Sequence, residues 1–337
     1  MQILRAVMFV FAVAAASANL AGCGSGGSQL TPAGLTTVPF HRISVPDAVQ
    51  QGIYASQDTG SALPVLGYQS DNQNNNPPFC TTPFSVSAQN DVAVDNAGNL
   101  MVPESQFPGG SIYIGTGPDM CGAQAGTISD PYGTPVDASS ANALTGRIAV
   151  ANGLDTVRRN RGSISVCTLS GGCTHNLKNP NMYRVEAVVM DNRGNCWGSA
   201  ATKTRVATLT YFARCAGKGV AATGYQNVDP GGLDIDSSGN LVSIDGGFSL
   251  SSKPQMWVYS GCTPACRLVE GPFPLVGSGA FGHLNHSSTM FAMADEQNNQ
   301  IDVYSYSPTS ISFLYSFSNG LPSGGVVGVA YSPRSKQ

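Results

Sequence analysis

Short apolar runs, broken by Gly, Asn, Asp, Ser or Pro, fill the chain from about residue 41 to its end. They are rich in Val, Ile, Tyr and Ala and are about four to six residues long, the signature of β-strands joined by tight turns. No stretch keeps apolar residues at the three-and-four spacing of an amphipathic helix, so the pattern predicts almost no helix.

One phrase recurs directly after a strand-like run. It reads Asp95-Asn-Ala-Gly98-Asn99, then Asp191-Asn-Arg-Gly194-Asn195, then Asp236-Ser-Ser-Gly239-Asn240. The last two Asp markers lie 45 residues apart and the first two 96 apart. A degenerate copy falls midway at Ala143, and another follows at Asn285. Five units of about 48 residues result, each with room for four short strands, which is the sequence pattern of a β-propeller blade. The C-terminal run Gly325–Tyr331 supplies a first strand with nothing after it. The run beginning at Gly52 supplies later strands with nothing before them. Together they make a sixth blade from both chain ends, which closes the ring and removes open sheet edges. The expectation is therefore an all-β fold: a six-bladed β-propeller with four-stranded antiparallel blades. In each marker, Asp is expected to accept from local backbone N–H groups, and Gly to supply the positive φ of a hairpin turn. One carboxylate per turn is too few for a calcium loop. Phe248–Pro254 and Pro118–Ala138 exceed what a blade needs and are read as loops on a face of the ring.

The phrase resembles the NHL repeat, in which an apolar-Ala-Val-Asp run leads through Gly-Asn to a strand ending in Ala-Asp. Met293-Ala-Asp295-Glu-Gln-Asn298-Asn-Gln-Ile301-Asp-Val303-Tyr304 is similar to the passage between the second and third strands of that repeat. The resemblance spans Arg42–Pro333 and implies the fold, while propellers of this kind include binding scaffolds and enzymes alike.

The N-terminus predicts an address. Arg5 precedes an apolar run from Ala6 to Ala16, followed by Leu20-Ala21-Gly22-Cys23. The run is too short for a membrane span and reads as a secretory signal. The tetrad resembles the lipobox of bacterial lipoproteins, which implies cleavage before Cys23, lipidation of its sulfur and an acylated new N-terminus. Residues 1–22 are then a signal peptide, 23–40 a lipidated Cys with a flexible tether, and 41–337 the propeller. With no Asp after Cys23, the resemblance favours the outer membrane. Palmitate-type acylation would make the membrane itself a partner.

Export implies an oxidising compartment. Of the nine cysteines, Cys23 is set aside and eight remain to pair. Cys167 and Cys173 flank a hairpin tip, and Cys262 and Cys266 a tighter loop. Cys196 and Cys215 flank the polar Lys203-Thr204-Arg205 turn as cross-strand partners, and Cys80 and Cys121 pair by elimination. No Cys-x-x-Cys occurs, so neither zinc nor a redox thiol pair is indicated.

Charged residues make up 11% of the chain and net charge is −3, so nothing points to nucleic acid as a partner. Arg158-Arg159-Asn160-Arg161 is the one basic cluster, placed on a rim. Six-bladed enzymes of the lactonase and gluconolactonase type hold a divalent metal in the central channel, so channel-facing positions matter. Counted two residues before each marker, these are Ala93, Ala141, Val189, Asp234, His283 and Ala330; one step earlier come Asp91, Ser139, Ala187, Gly232, Phe281 and Gly328. Asp234 and His283 occupy equivalent places in adjacent blades, as ring-stabilising partners or as candidate catalytic groups with Glu186. No metal site or cofactor is assigned. His283-Leu-Asn-His286 lies on strand and turn, where it cannot present both imidazoles as a helical zinc motif does. His41 and His175 are expected at the surface, and Trp197 and Trp257 in the core. Gly-x-Ser-x-Gly, the nucleophile elbow of serine hydrolases, is absent. The expectation is a monomeric, non-enzymatic binding or scaffolding module of the cell envelope, engaging a protein or glycan at a propeller face. A metal-dependent lactonase-like hydrolase and a purely structural envelope protein are the alternatives.

Overall fold

The computed structural model describes residues 52–106, 109–116, 121–156, 161–246, 253–323 and 325–333. The signal segment, Cys23, the tether, His41, Arg158–Asn160 and most of the Phe248–Pro254 segment lie outside the described residues.

Six four-stranded antiparallel sheets form a closed ring, a six-bladed β-propeller. Blade one joins β24 (Val326–Ser332) to β1 (Gly52–Gln57), β2 (Leu63–Gln69) and β3 (Cys80–Val86). Blade two is β4 (Ala93–Val94), β5 (Leu100–Glu104), β6 (Gly110–Gly115) and β7 (Gln124–Asp130). Blade three is β8 (Gly133–Ser140), β9 (Ile148–Asp155), β10 (Ser163–Thr168) and β11 (Gly172–Leu177). Blade four is β12 (Arg184–Met190), β13 (Cys196–Ala201), β14 (Ala207–Phe212) and β15 (Val220–Ala221). Blade five is β16 (Leu233–Ile235), β17 (Leu241–Asp245), β18 (Gln255–Ser260) and β19 (Arg267–Pro274). Blade six is β20 (Gly282–Leu284), β21 (Met290–Asp295), β22 (Gln300–Ser307) and β23 (Ser310–Phe317). The one helical element among the described residues is a single 3-10 turn, Ala213–Cys215.

Ring closure follows the expected split. β24 pairs with β1, setting Ile53 opposite Tyr331 and Tyr54 opposite Ala330. Apolar burial is divided rather than central. Six clusters of buried side chains each draw on two adjacent blades, such as Val188 and Met190 with Ala149 and Val166. Both sheet faces are therefore covered, and most positions of the inner and second strands are buried.

The markers behave as turn-formers. Asp95 Oδ1 accepts from the Ala97 and Asn99 N–H groups, both at 2.8 Å, and Gly98 takes φ 86°. Asp191 with Gly194 and Asp236 with Gly239 repeat this geometry.

Three expectations need correction. The segment Pro118–Ala138 is not simply loop, because it holds β7 and most of β8. Cys196 faces Phe212 across the β13–β14 hairpin, and its disulfide partner Cys215 lies beyond, in the 3-10 turn. In blade three, Ser139 pairs with Ala149 as Ala93 pairs with Met101. The turn after β8 is thus two residues longer than in blade two, and the marker count placed this inner strand two residues out of phase.

Disulfides join Cys80–Cys121, Cys167–Cys173, Cys196–Cys215 and Cys262–Cys266. Cys80–Cys121 ties β3 of blade one to the β6–β7 connection of blade two, so it crosses a blade boundary. Four such bonds belong to a protein of an oxidising, extracytoplasmic compartment. No helix among the described residues is long and apolar enough to cross a membrane.

Inner strands approach each other closely where β24 meets blade two. A Cβ on Gly328 would lie 2.6 Å from the Asp91 Cα and 2.7 Å from the Ser56 Oγ. Gly328→Val is expected to destabilise the protein by about 1–3 kcal/mol through overpacking. A calorimetric unfolding temperature equal to that of the parent would contradict this.

Candidate functional site

The short inner strands of a propeller have one edge bound to their own blade and the other turned towards the axis. The inward N–H groups still need acceptors. Three aspartates supply some of them. Asp137 Oδ1 accepts from its neighbour Ala138 N–H at 2.6 Å, and Oδ2 from Val188 N–H of blade four at 2.7 Å. Asp234 does the same, with Ile235 N–H at 2.7 Å and Leu284 N–H of blade six at 2.8 Å. Asp91 Oδ1 accepts from Val92 N–H at 2.8 Å. Its Oδ2 lies 3.2 Å from His283 Nε2, on a blade that is not its neighbour. His283 Nδ1 lies 3.5 Å from Asp234 Oδ2. One imidazole thus bridges carboxylates of blades two and five from blade six. Ser139 Oγ adds a further stitch by accepting from Met190 N–H at 2.9 Å.

All three carboxylates are buried, and the His283 side chain is 13% exposed. Burial raises the Asp91 carboxyl above its ordinary range, opposed by the His283 charge. Asp137 stands well above it, through burial and then the Asp91 charge. For His283, burial lowers the pKa, but Asp91 and Asp234 more than offset it and hold the group well above its usual value. The imidazolium is the counter-ion of a crowded acidic hub.

The cavity beside this hub, lined by Ala93, Val94, Ala138, Ser139, Val189, Leu233, Asp234 and His283, measures about 10 Å³. That is room for about one water. The channel is filled at this level by its own side chains.

The structure brings Asp234 and His283 together, and it adds Asp91 and Asp137. Asp91 stood among the channel-facing positions but carried no assigned role. Asp137 was missed because the longer turn of blade three hid it; an acid flanked by Val136 and Ala138 inside an apolar run was the available signal. Glu186 does not join the hub. It forms an ion pair with Arg184 at 2.5 Å near the start of β12, and burial, opposed by Arg184, pushes its carboxyl up to about 7. His286 falls in the turn past β20. His175 is exposed on β11, and Trp197 and Trp257 are buried.

Comparison of the sequence with protein-family models and with curated proteins gives no match. Solved structures do match in fold. A chain of a nidogen/laminin complex superposes with a TM-score of 0.60 at 13% identity, covering 84% of this chain and 98% of that one. The periplasmic gluconolactonase of Pseudomonas aeruginosa gives 0.55 at 14% identity, covering 83% and 98%. The WD40 domain of Toxoplasma gondii coronin gives 0.52 at 12% identity, covering 81% and 70%. At these identities the likeness shows the propeller fold and nothing about activity.

Removing the imidazole would leave buried like charges facing one another. His283→Leu is expected to cost about 3–5 kcal/mol, as breaking a buried ion pair does. The pH dependence has a definite sign. Because His283 is raised in the folded state, its contribution is complete below its unfolded pKa of about 6.5 and is lost as pH rises through the folded value. The raised Asp91 and Asp137 carboxyls act in the same direction from a lower pH. Unfolding temperatures should therefore fall as pH rises above about 6.5, and His283→Gln should flatten that fall. Parallel pH profiles for the parent and His283→Gln would refute the assignment.

Proposed function

We propose that the protein is an exported binding or scaffolding module, anchored by lipid at Cys23 to a bacterial membrane, with the outer membrane favoured. The observation that carries the reading is the closed hub. Both nitrogens of His283 face carboxylates, Asp91, Asp137 and Asp234 accept backbone N–H groups, and about 10 Å³ remains beside them. A channel so narrow at the level of the hub favours the faces of the ring as the contact surface.

One face offers contact chemistry. The connections between blades, the turns between second and third strands and the adjoining end of β9 carry Leu154, Val206, Val228 and Val276, exposed by 37%, 57%, 70% and 49%. A cleft of about 280 Å³ on that face is lined by Tyr183, Arg184, Ala201, Thr202 and Arg205. Apolar side chains beside arginines suit a protein partner or a glycan with acidic groups. The disulfides agree with export.

Two experiments test the reading. Cys23→Ser should abolish metabolic palmitate labelling and move the protein from the membrane to the soluble fraction; unchanged labelling removes the anchor. Crosslinking in intact envelopes should capture a partner that Val206→Asp with Val228→Asp loses, while the far-ultraviolet spectrum stays that of the parent. An unaltered crosslinking pattern counts against this face.

The second reading is a metal-dependent hydrolase of lactonase type. It is favoured by one observation: Asp91, Asp137 and His283 bring ligand atoms within 4.8 Å of one another. Oxygen and imidazole donors suit several divalent ions. Binding would require a neutral His283 and the loss of its contact with Asp91. Stabilisation of chelator-treated protein by added divalent metal supports this reading, and its absence removes it.

A further inference from the structure

The face opposite those exposed valines carries the marker turns, and there one of the three marker aspartates departs from the other two. At two boundaries the second oxygen of a marker Asp is taken by the next blade. Asp95 Oδ2 accepts from Ala143 N–H of blade three at 2.7 Å, besides Asn99 Nδ2. Asp236 Oδ2 accepts from the Tyr306 hydroxyl of blade six at 3.0 Å, besides Asn240 Nδ2. These two aspartates are 0% and 1% exposed. Asp191 Oδ2 accepts from Asn195 Nδ2 at 2.9 Å, and among the described residues blade five sends it no donor. Asp191 is accordingly only half-buried.

Strand register identifies the missing donor. Leu241 pairs with Tyr259 as Phe291 pairs with Tyr304. Two residues beyond Tyr304 stands Tyr306; two beyond Tyr259 stands Gly261. A glycine therefore replaces the clasping tyrosine. In its place is a cavity of about 380 Å³, lined by Asp191, Arg193, Trp197, Ile235, Leu241 and Gly261 among others. The apolar lining is also equivalent. Tyr306 packs in one cluster with Val242, Leu284 and Phe291. Their counterparts in register are Trp197, Ile235 and Leu241.

We propose that this cavity is a binding site for a phenol ring, occupied by a ligand whose hydroxyl donates to Asp191 Oδ2 and whose ring lies on Trp197, Ile235 and Leu241. The site is the mould of the Tyr306 clasp with the tyrosine removed. Its volume falls in the range of about 300–1,000 Å³ typical of small-molecule sites. The ligand chemistry is shared by small free phenols and by a tyrosine side chain of a partner chain. The site lies on the other face from the exposed valines, so it stands or falls independently of the partner proposed there.

The probes are p-cresol and N-acetyltyrosinamide, titrated calorimetrically into the full chain while the Trp197 indole N–H resonance is followed. One saturable site is expected, with a shift of that resonance. 4-Methylanisole, which fills the same space but cannot donate, should bind about tenfold more weakly, because the half-buried Asp191 Oδ2 loses water on binding and gains no donor from the ligand. Asp191→Asn should cause a similar loss for p-cresol. Gly261→Asn places a side chain in the cavity at φ 69°, which Asn tolerates better than most residues, and should abolish binding. Tighter p-cresol than N-acetyltyrosinamide identifies a free phenol as the occupant; the reverse identifies a tyrosine side chain. Equal affinity for p-cresol and 4-methylanisole, full binding by Gly261→Asn, or no saturable binding of either phenol overturns the proposal.

Discussion

Every part of this molecule depends on blades that are apolar on both faces. A sheet so patterned cannot stop at one neighbour; it needs cover on each side, and only a closed ring provides that for every blade. The last strand meets both demands of blade one. Val326, Val329 and Tyr331 of β24 enter the cluster shared with blade six, while Ala330 enters the cluster shared with blade two. Its ladder with β1 thus does more than add hydrogen bonds, each worth about 0.5–1.5 kcal/mol net. It joins the two chain ends into the blade on which both adjoining interfaces rest.

Closure creates a second problem at the axis. Six inner strands converge with edges that no strand can pair, and water has little room to serve them. Short acidic side chains answer it, since one carboxylate can take its own neighbour's N–H and one from the next blade. Asp137 and Asp234 both do this. Like charges then accumulate in a dry place, which the raised Asp91 and Asp137 carboxyls register. His283 is the compensating group, and its reach to both Asp91 and Asp234 makes the hub a single electrostatic unit. The same groups that resemble a candidate active site are therefore accounted for by the needs of the ring.

The strand and turn pattern carried the architecture. Regular spacing of Asp95, Asp191 and Asp236 gave the repeat, and the chain ends gave the shared blade, because blade spacing is a property of the chain that turn chemistry writes locally. The hub was legible only in part. Asp234 and His283 stood in equivalent positions of adjacent blades, but their link to Asp91 crosses the axis between blades that are far apart in sequence. Asp137 was lost to a turn two residues longer than its counterpart, an insertion that strand pairing reveals and a count of residues cannot. Glu186 looked like a member of the set through its nearness in the chain to the inner strand. A bulge between Val185 and Ala187 and the guanidinium of Arg184 place it elsewhere.

A repeat fold also makes absences informative. In an irregular core the neighbours of a small residue relax part-way into the space it leaves. In a ring the spacing between blades four and five is set by both inner strands, by the Trp197 indole N–H donating to the Cys262 carbonyl at 2.5 Å, and by closure at the other blades. Gly261 consequently leaves a space that the walls cannot fill. The boundary between blades five and six shows what such a space holds when a side chain is present: a ring against apolar neighbours and a hydroxyl on the marker carboxylate. The scaffold that makes Asp236 purely structural leaves Asp191 half-buried, its Oδ2 bonded to Asn195 of its own turn, and the difference between the two is a single side chain.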